Sequence, residues 1–166
     1  AVFTADAPID LIELWNYCER EVARDFSPEG VAEAQFVLRF LEAQLRGSPT
    51  EAADRYARQT PFDRSLDSLG NERYLRYIPV RCYHDLDIAW QIENRRRDLY
   101  DNNAAPASAM ILQLRRAGNE EAEFIIAPQP AHRANGQRHP HAWSVIDEVE
   151  CITWLLAKYP AQTDKK

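Results

Sequence analysis

The chain has 166 residues, 45% of them hydrophobic, and its 20 basic against 26 acidic side chains give a net charge of −6 and a pI near 5.3. That length suits a single domain, 1–166, able to bury roughly two thirds of its unfolded surface, and the apolar content excludes a wholly disordered chain. The acidity argues against nucleic acid or an anionic membrane as partner, and with no uncharged run of roughly 18 residues no spanning helix is expected.

No basic-then-apolar leader precedes Ala1, and the absent initiator Met reads as a processed or engineered start. The segment from Pro8 to Phe26 predicts a first helix, capped by Asp6, with Leu11, Trp15, Cys18 and Val22 on its stripe. Ser27-Pro28-Glu29 is a second start signal, for a helix running to about Arg46 and closed by Gly47. Its core face is Val31, Ala34, Val37, Leu38, Leu41 and Leu45, with Phe36 and Phe40 on a flank that reads as packing within the chain. Ser48 and Glu51 make a capping box for a short helix over about 49–59.

Residues 73–84, RYLRYIPVRCYH, are rich in tyrosine and β-branched side chains and read as extended, with Pro79 confining them to an edge or an irregular segment. Asp85 then caps a helix to about Tyr100. Ser108–Arg115 and Glu121–Ala127 flank a glycine-containing turn, which predicts a β-hairpin with Met110, Leu112 and Leu114 on one face. Residues 128–140 read as loop. Trp143–Tyr159 carries the strongest helical pattern: Val145, Val149, Ile152, Leu156 and Tyr159 form a stripe expected to be the centre of the core.

Three groups are candidates for chemistry. His132, His139 and His141, with Arg133 and Arg138, lie in one loop and could face a single ion or act in a small metal-dependent hydrolase or nucleic-acid-processing enzyme. The loop spacing does not match an ordered zinc pattern, and solvent-exposed histidines are the simpler reading. Cys82 and His84 would share a face of an extended segment, as a thiol and its base must, although such pairs usually come from distant segments. Arg95, Arg96 and Arg97 near a helix end suit an acidic partner or phosphate, or merely a solvated face bridged to nearby acids.

No GxGxxG, P-loop, GxSxG, HExxH or EF-hand pattern is present, and five glycines leave little for a phosphate-cradling loop. Cys18, Cys82 and Cys151 are widely spaced without a CxxC pair, reading as free thiols in a reducing, cytoplasmic compartment, or as one disulfide and a spare thiol. The expected fold is α+β, with a mainly helical N-terminal half, a hairpin or small antiparallel sheet, and a packed C-terminal helix. The expected function is a non-catalytic protein-binding module without cofactor, such as an adaptor, inhibitor, immunity-type protein or assembly subunit. It would bind a protein partner or a second copy of itself through Arg95, Arg96, Arg97, Arg138, His139 and His141. The alternative is the hydrolase built on His139 and His141.

Overall fold

Three short apolar segments, Val2–Ala5 (β1), Val80–His84 (β2) and Ala122–Ile126 (β3), pair in the order β1-β2-β3 to form a parallel sheet in the computed structural model, which describes residues 1–159. Val2 pairs with Val80, and Val80 with Ala122, so all three strands end at one edge. Parallel strands need long crossovers, which helices supply. Leu11–Arg24 (α1), Pro28–Leu45 (α2) and Ala53–Gln59 (α3) connect β1 to β2; Ile88–Arg95 (α4) and Ala104–Arg116 (α5) connect β2 to β3. Glu148–Lys158 (α6) follows β3. This is an α/β architecture of six helices and one three-stranded sheet among the described residues, and it replaces the expected antiparallel hairpin.

The hairpin expectation fails at its first arm. The alternation of Met110, Leu112 and Leu114 coexists with Ala107, Met110, Ile111 and Leu114 at helical spacing, and short apolar runs fit both periods. The alanine-rich start at 104–109 favours the helix. Ala107, Met110, Ile111 and Leu114 are buried against Val80, Cys82 and Ala122 on one face of the sheet, while Leu112 is exposed. Gly118, at φ +93°, turns the chain from α5 into β3. Pro79 lies just outside β2, which leaves that segment free to be the central strand instead of an edge.

The opposite face is covered by α6, turned by about half a rotation from the expected orientation. Cys151 and Trp154 are buried, with Val145 and Ile146 just ahead of the helix, whereas Val149 is 77% exposed and Ile152, Leu156 and Tyr159 also face outward. Two features set this phase. Asp147 accepts from the Glu150 N–H and starts the helix there, leaving Trp143–Val145 as a separate 3₁₀ turn. Glu150 accepts from the Tyr83 hydroxyl at 3.0 Å and pairs with Arg81, whose guanidinium lies 4.5 Å from the Trp154 ring centre. Cys151, Trp154 and Leu155 give α6 a second apolar face beside the expected stripe, so the pattern alone does not decide which face is buried; the polar anchors select it.

In the first crossover, Asp10 caps α1 by accepting from Ile12 and Glu13, which releases Asp6 from the expected capping role. Ser27 caps α2, and the Ser48–Glu51 box is present although α3 begins only at Ala53. Leu41, Leu45, Ala52 and Tyr56 form the helical core, with Trp15 edge-on to Tyr56. Phe36 and Phe40 stack on each other in solvent, not inside the chain. A side chain at Gly30 would bring Cβ within 2.7 Å of Glu21 Oε1, so glycine lets α2 approach α1 there. Cys18, Cys82 and Cys151 are buried and unpaired.

Val149→Asp is therefore expected to leave the melting temperature nearly unchanged, whereas Leu114→Ala, in a fully buried position, should cost about 2–5 kcal/mol. Thermal melts of the two variants check this, and equal destabilisation would contradict the observed orientation of α6.

Candidate functional site

Asp6 directly follows β1 and His84 ends β2, so the parallel register sets a carboxylate beside an imidazole at the carboxyl edge of the sheet, where open α/β sheets hold their ligands. Asp6 occupies φ +47°, a left-handed conformation that aspartate adopts more readily than most residues. Its N–H donates to Tyr83 O at 2.9 Å and its carbonyl accepts from Asn103 at 2.8 Å, which fix the turn. The loop after β3 then returns to bring in a second imidazole, His141.

The Asp6 carboxylate is fully buried and bridges the two rings: Oδ1 to His84 Nδ1 at 2.7 Å and Oδ2 to His141 Nδ1 at 2.6 Å. An ionised carboxylate only accepts, so both Nδ1 atoms carry hydrogen and each Nε2 lies on the far edge of its ring. Burial works to raise the Asp6 pKa, but the hydrogen bonds from His141 and His84 outweigh it and hold the carboxyl below its ordinary value. The two histidines differ in access. His84 is fully buried, stacked on Phe124 at 5.1 Å with planes 4° apart, and its Nε2 has no partner within the described residues. The His141 side chain is 44% exposed and lines a cavity of about 740 Å³.

That cavity lies between α1, α2, the end of α4 and the loop after β3. Asp6, Gln91, Arg95, Arg97, Arg133, His139 and His141 all line it. His139 is edge-on to His141, with ring centres 5.4 Å apart. Burial, reinforced by Arg133, His141, Arg95 and Arg97, pushes His139 down to about 4, so this ring is neutral at ordinary pH.

The three-arginine run is divided. Arg95 faces the cavity; Arg96 closes α4 in a left-handed conformation with its guanidinium 4.6 Å from the Phe26 ring centre; Arg97 is bidentate to buried Glu21 at 2.9 and 3.2 Å. Arg24 and Arg20 extend the last pair to Asp101, tying α1 to the turn after α4. Arg138 stands apart from the cavity lining and clamps Asp85 and Asp87 while covering Trp90. His132 instead hydrogen-bonds Pro130 O in the loop. No group of three or more His, Cys, Asp or Glu side chains is arranged to hold a metal among the described residues. Cys82 is not set up as a nucleophile for His84: burial pushes its thiol up, and His84 is engaged by Asp6.

Of the expected set, the structure brings His139, His141, Arg95 and Arg97 together around the cavity and leaves Arg96 and Arg138 outside its lining, while Asp6 and Gln91, which that set does not contain, join it. Asp6 was legible only as the acid closing a short apolar strand, a signal hidden by its suitability as a helix cap. No known protein family, curated protein or solved structure matches this chain. Among the described residues no helix is long and apolar enough to cross a membrane.

The electrostatics give two pH windows. A histidine depressed from 6.5 to about 4 stays neutral in the fold while the unfolded chain takes up a proton, so His139 lowers stability as pH falls through that interval. His139→Gln is expected to flatten the dependence there. Asp6 acts below it: its contribution is present above the ordinary carboxylate value and is lost as pH falls through the lower folded value, so Asp6→Asn should lose less stability on acidification. Denaturant titrations across about pH 7 to 3 check both slopes.

Proposed function

We propose that Asp6 and His141 form a general acid–base pair for hydrolysis, at the carboxyl edge of the sheet. The observation that carries this reading is the 2.6 Å contact from a buried carboxylate to Nδ1 of a partly exposed imidazole that lines the large cavity. Held in this tautomer, His141 presents Nε2 as the base. It takes a proton from water, or from a hydroxyl brought to it, as the oxygen attacks a carbonyl carbon. Asp6 stabilises the imidazolium, which returns the proton to the leaving group as the carbon–leaving-group bond breaks. His84 secures the other carboxylate oxygen.

The cavity's own nucleophiles are poorly primed. Burial pushes the Cys18 thiol up to about 12, and the Ser27 hydroxyl is engaged as the cap of α2. An acid followed along the chain by a histidine, on the carboxyl side of parallel strands, is also the order of the acid and base in α/β-hydrolases, where a serine on a strand-to-helix elbow is the nucleophile. This sequence contains no GxSxG, and the likeness is one of placement.

On a panel of activated esters, His141→Ala is expected to reduce turnover by about 10²–10⁴-fold and Asp6→Asn to reduce it too, with the fold checked by circular dichroism. No wild-type hydrolysis above the buffer rate, or equal rates for wild type and His141→Ala, would sink the reading.

A protein-binding module is a second reading, on α6 instead of the expected arginine and histidine set, favoured by the exposed Val149, Ile152 and Leu156. Its partner would be a protein or a second copy of the chain. Leu156→Glu is expected to abolish that association in sedimentation experiments, and a wild-type chain that stays monomeric and captures no protein would remove it.

A further inference from the structure

We infer that the cavity binds an organic carboxylate, its negative end held by Arg95 and Arg133 and its apolar body directed towards Leu14 and Val37. The inference rests on the acid–base reading of His141 for turnover, but the binding itself does not need it.

Three observations carry it. Among the described residues, Arg95 and Arg133 have no carboxylate within 4.0 Å, whereas their neighbour Arg97 is neutralised by Glu21. A guanidinium lining a partly enclosed cavity without a counter-ion favours an anion, and its planar fork matches a carboxylate. Gln91 is 4% exposed and lines the same cavity, yet its amide oxygen has no partner; His139 Nδ1 is likewise buried and unpaired. Such groups carry a desolvation cost that a ligand relieves. Because the orientation of a glutamine amide follows its hydrogen-bond partners, Gln91 can offer N–H to an oxyanion.

The walls also give direction. Leu14, Ala34 and Val37 supply apolar surface, while Glu29 and Glu33 from α2 repel a negative group and orient it towards the arginines. His139 is 5.4 Å from His141 between ring centres, so a ligand anchored beside His139 extends its adjoining bonds to the proposed base. The substrate class that follows is an ester or amide with a carboxylate on an apolar skeleton.

Benzoate and its neutral isostere benzamide are the probes, titrated against the intact chain while the ring resonances of His139 and His141 are followed. Benzoate is expected to shift both rings saturably, benzamide to bind at least about 10-fold more weakly, and Arg95→Gln/Arg133→Gln to weaken benzoate by about 10-fold or more. Gln91→Glu, which sets a like charge beside the ligand, should weaken it as well and provides an independent variant if the double substitution fails to fold. The absence of saturable shifts, benzamide binding as tightly as benzoate, or unchanged benzoate affinity in the folded variants would overturn the inference. Selective benzoate binding without ester turnover would sink the hydrolytic reading and leave the anchor; turnover without selective binding would do the reverse.

Discussion

One buried negative charge organises this protein. Removing a carboxylate from water is costly unless its oxygens find donors, and Asp6 finds them in His84, from the neighbouring strand, and His141, from the loop after β3. The pair of contacts joins residues 78 and 135 positions away, which makes Asp6 the electrostatic junction between the first strand and the last loop. The left-handed turn at Asp6, fixed by its backbone bonds to Tyr83 and Asn103, ends the strand where its carboxylate meets both rings.

The surrounding charges divide labour by burial. Glu21 and Asp101 gather Arg20, Arg24 and Arg97 into a network that secures α1 against the second crossover. Asp85 and Asp87 hold Arg138, which brings the loop after β3 down over Trp90. The first network reaches the cavity through Arg97 and Asp101, whose charges are matched within it, and the second lies outside the lining. What lines the cavity is a mixture of neutralised arginine, unpaired arginine and a histidine kept uncharged, drawn from the end of α4 and the loop after β3.

Much of the helical layer was legible because its signals are local. Ser27 before Pro28 and the Ser48–Glu51 box act within one turn, so the sequence displays them directly. The sheet was hidden because its determinants are distant. Ala107, Met110, Ile111 and Leu114 fit a helix and also overlap an alternating pattern, and burial against Val80 and Cys82 joins the alanine-rich start in deciding for the helix. The orientation of α6 turns on Glu150 meeting Tyr83 and Arg81, 67 and 69 residues away, which no window centred on the helix contains. For the same reason His141 was visible as a candidate while its carboxylate was not: the histidine sits in a conspicuous loop, and its partner lies at the other end of the chain.

The long first crossover also sets an order of assembly. Val2 pairs with Val80, so β1 has no partner until 78 further positions have been traversed, and closing such a span is slow compared with forming contacts nearby in sequence. α1 and α2, joined by only three residues, can find each other well before the sheet exists. The Asp6 junction, which needs β2 and the loop after β3 together, is accordingly completed late in folding. On the acid–base reading proposed above, the carboxylate and the imidazole that would share the chemistry therefore meet only once the helical layer and both crossovers are in place.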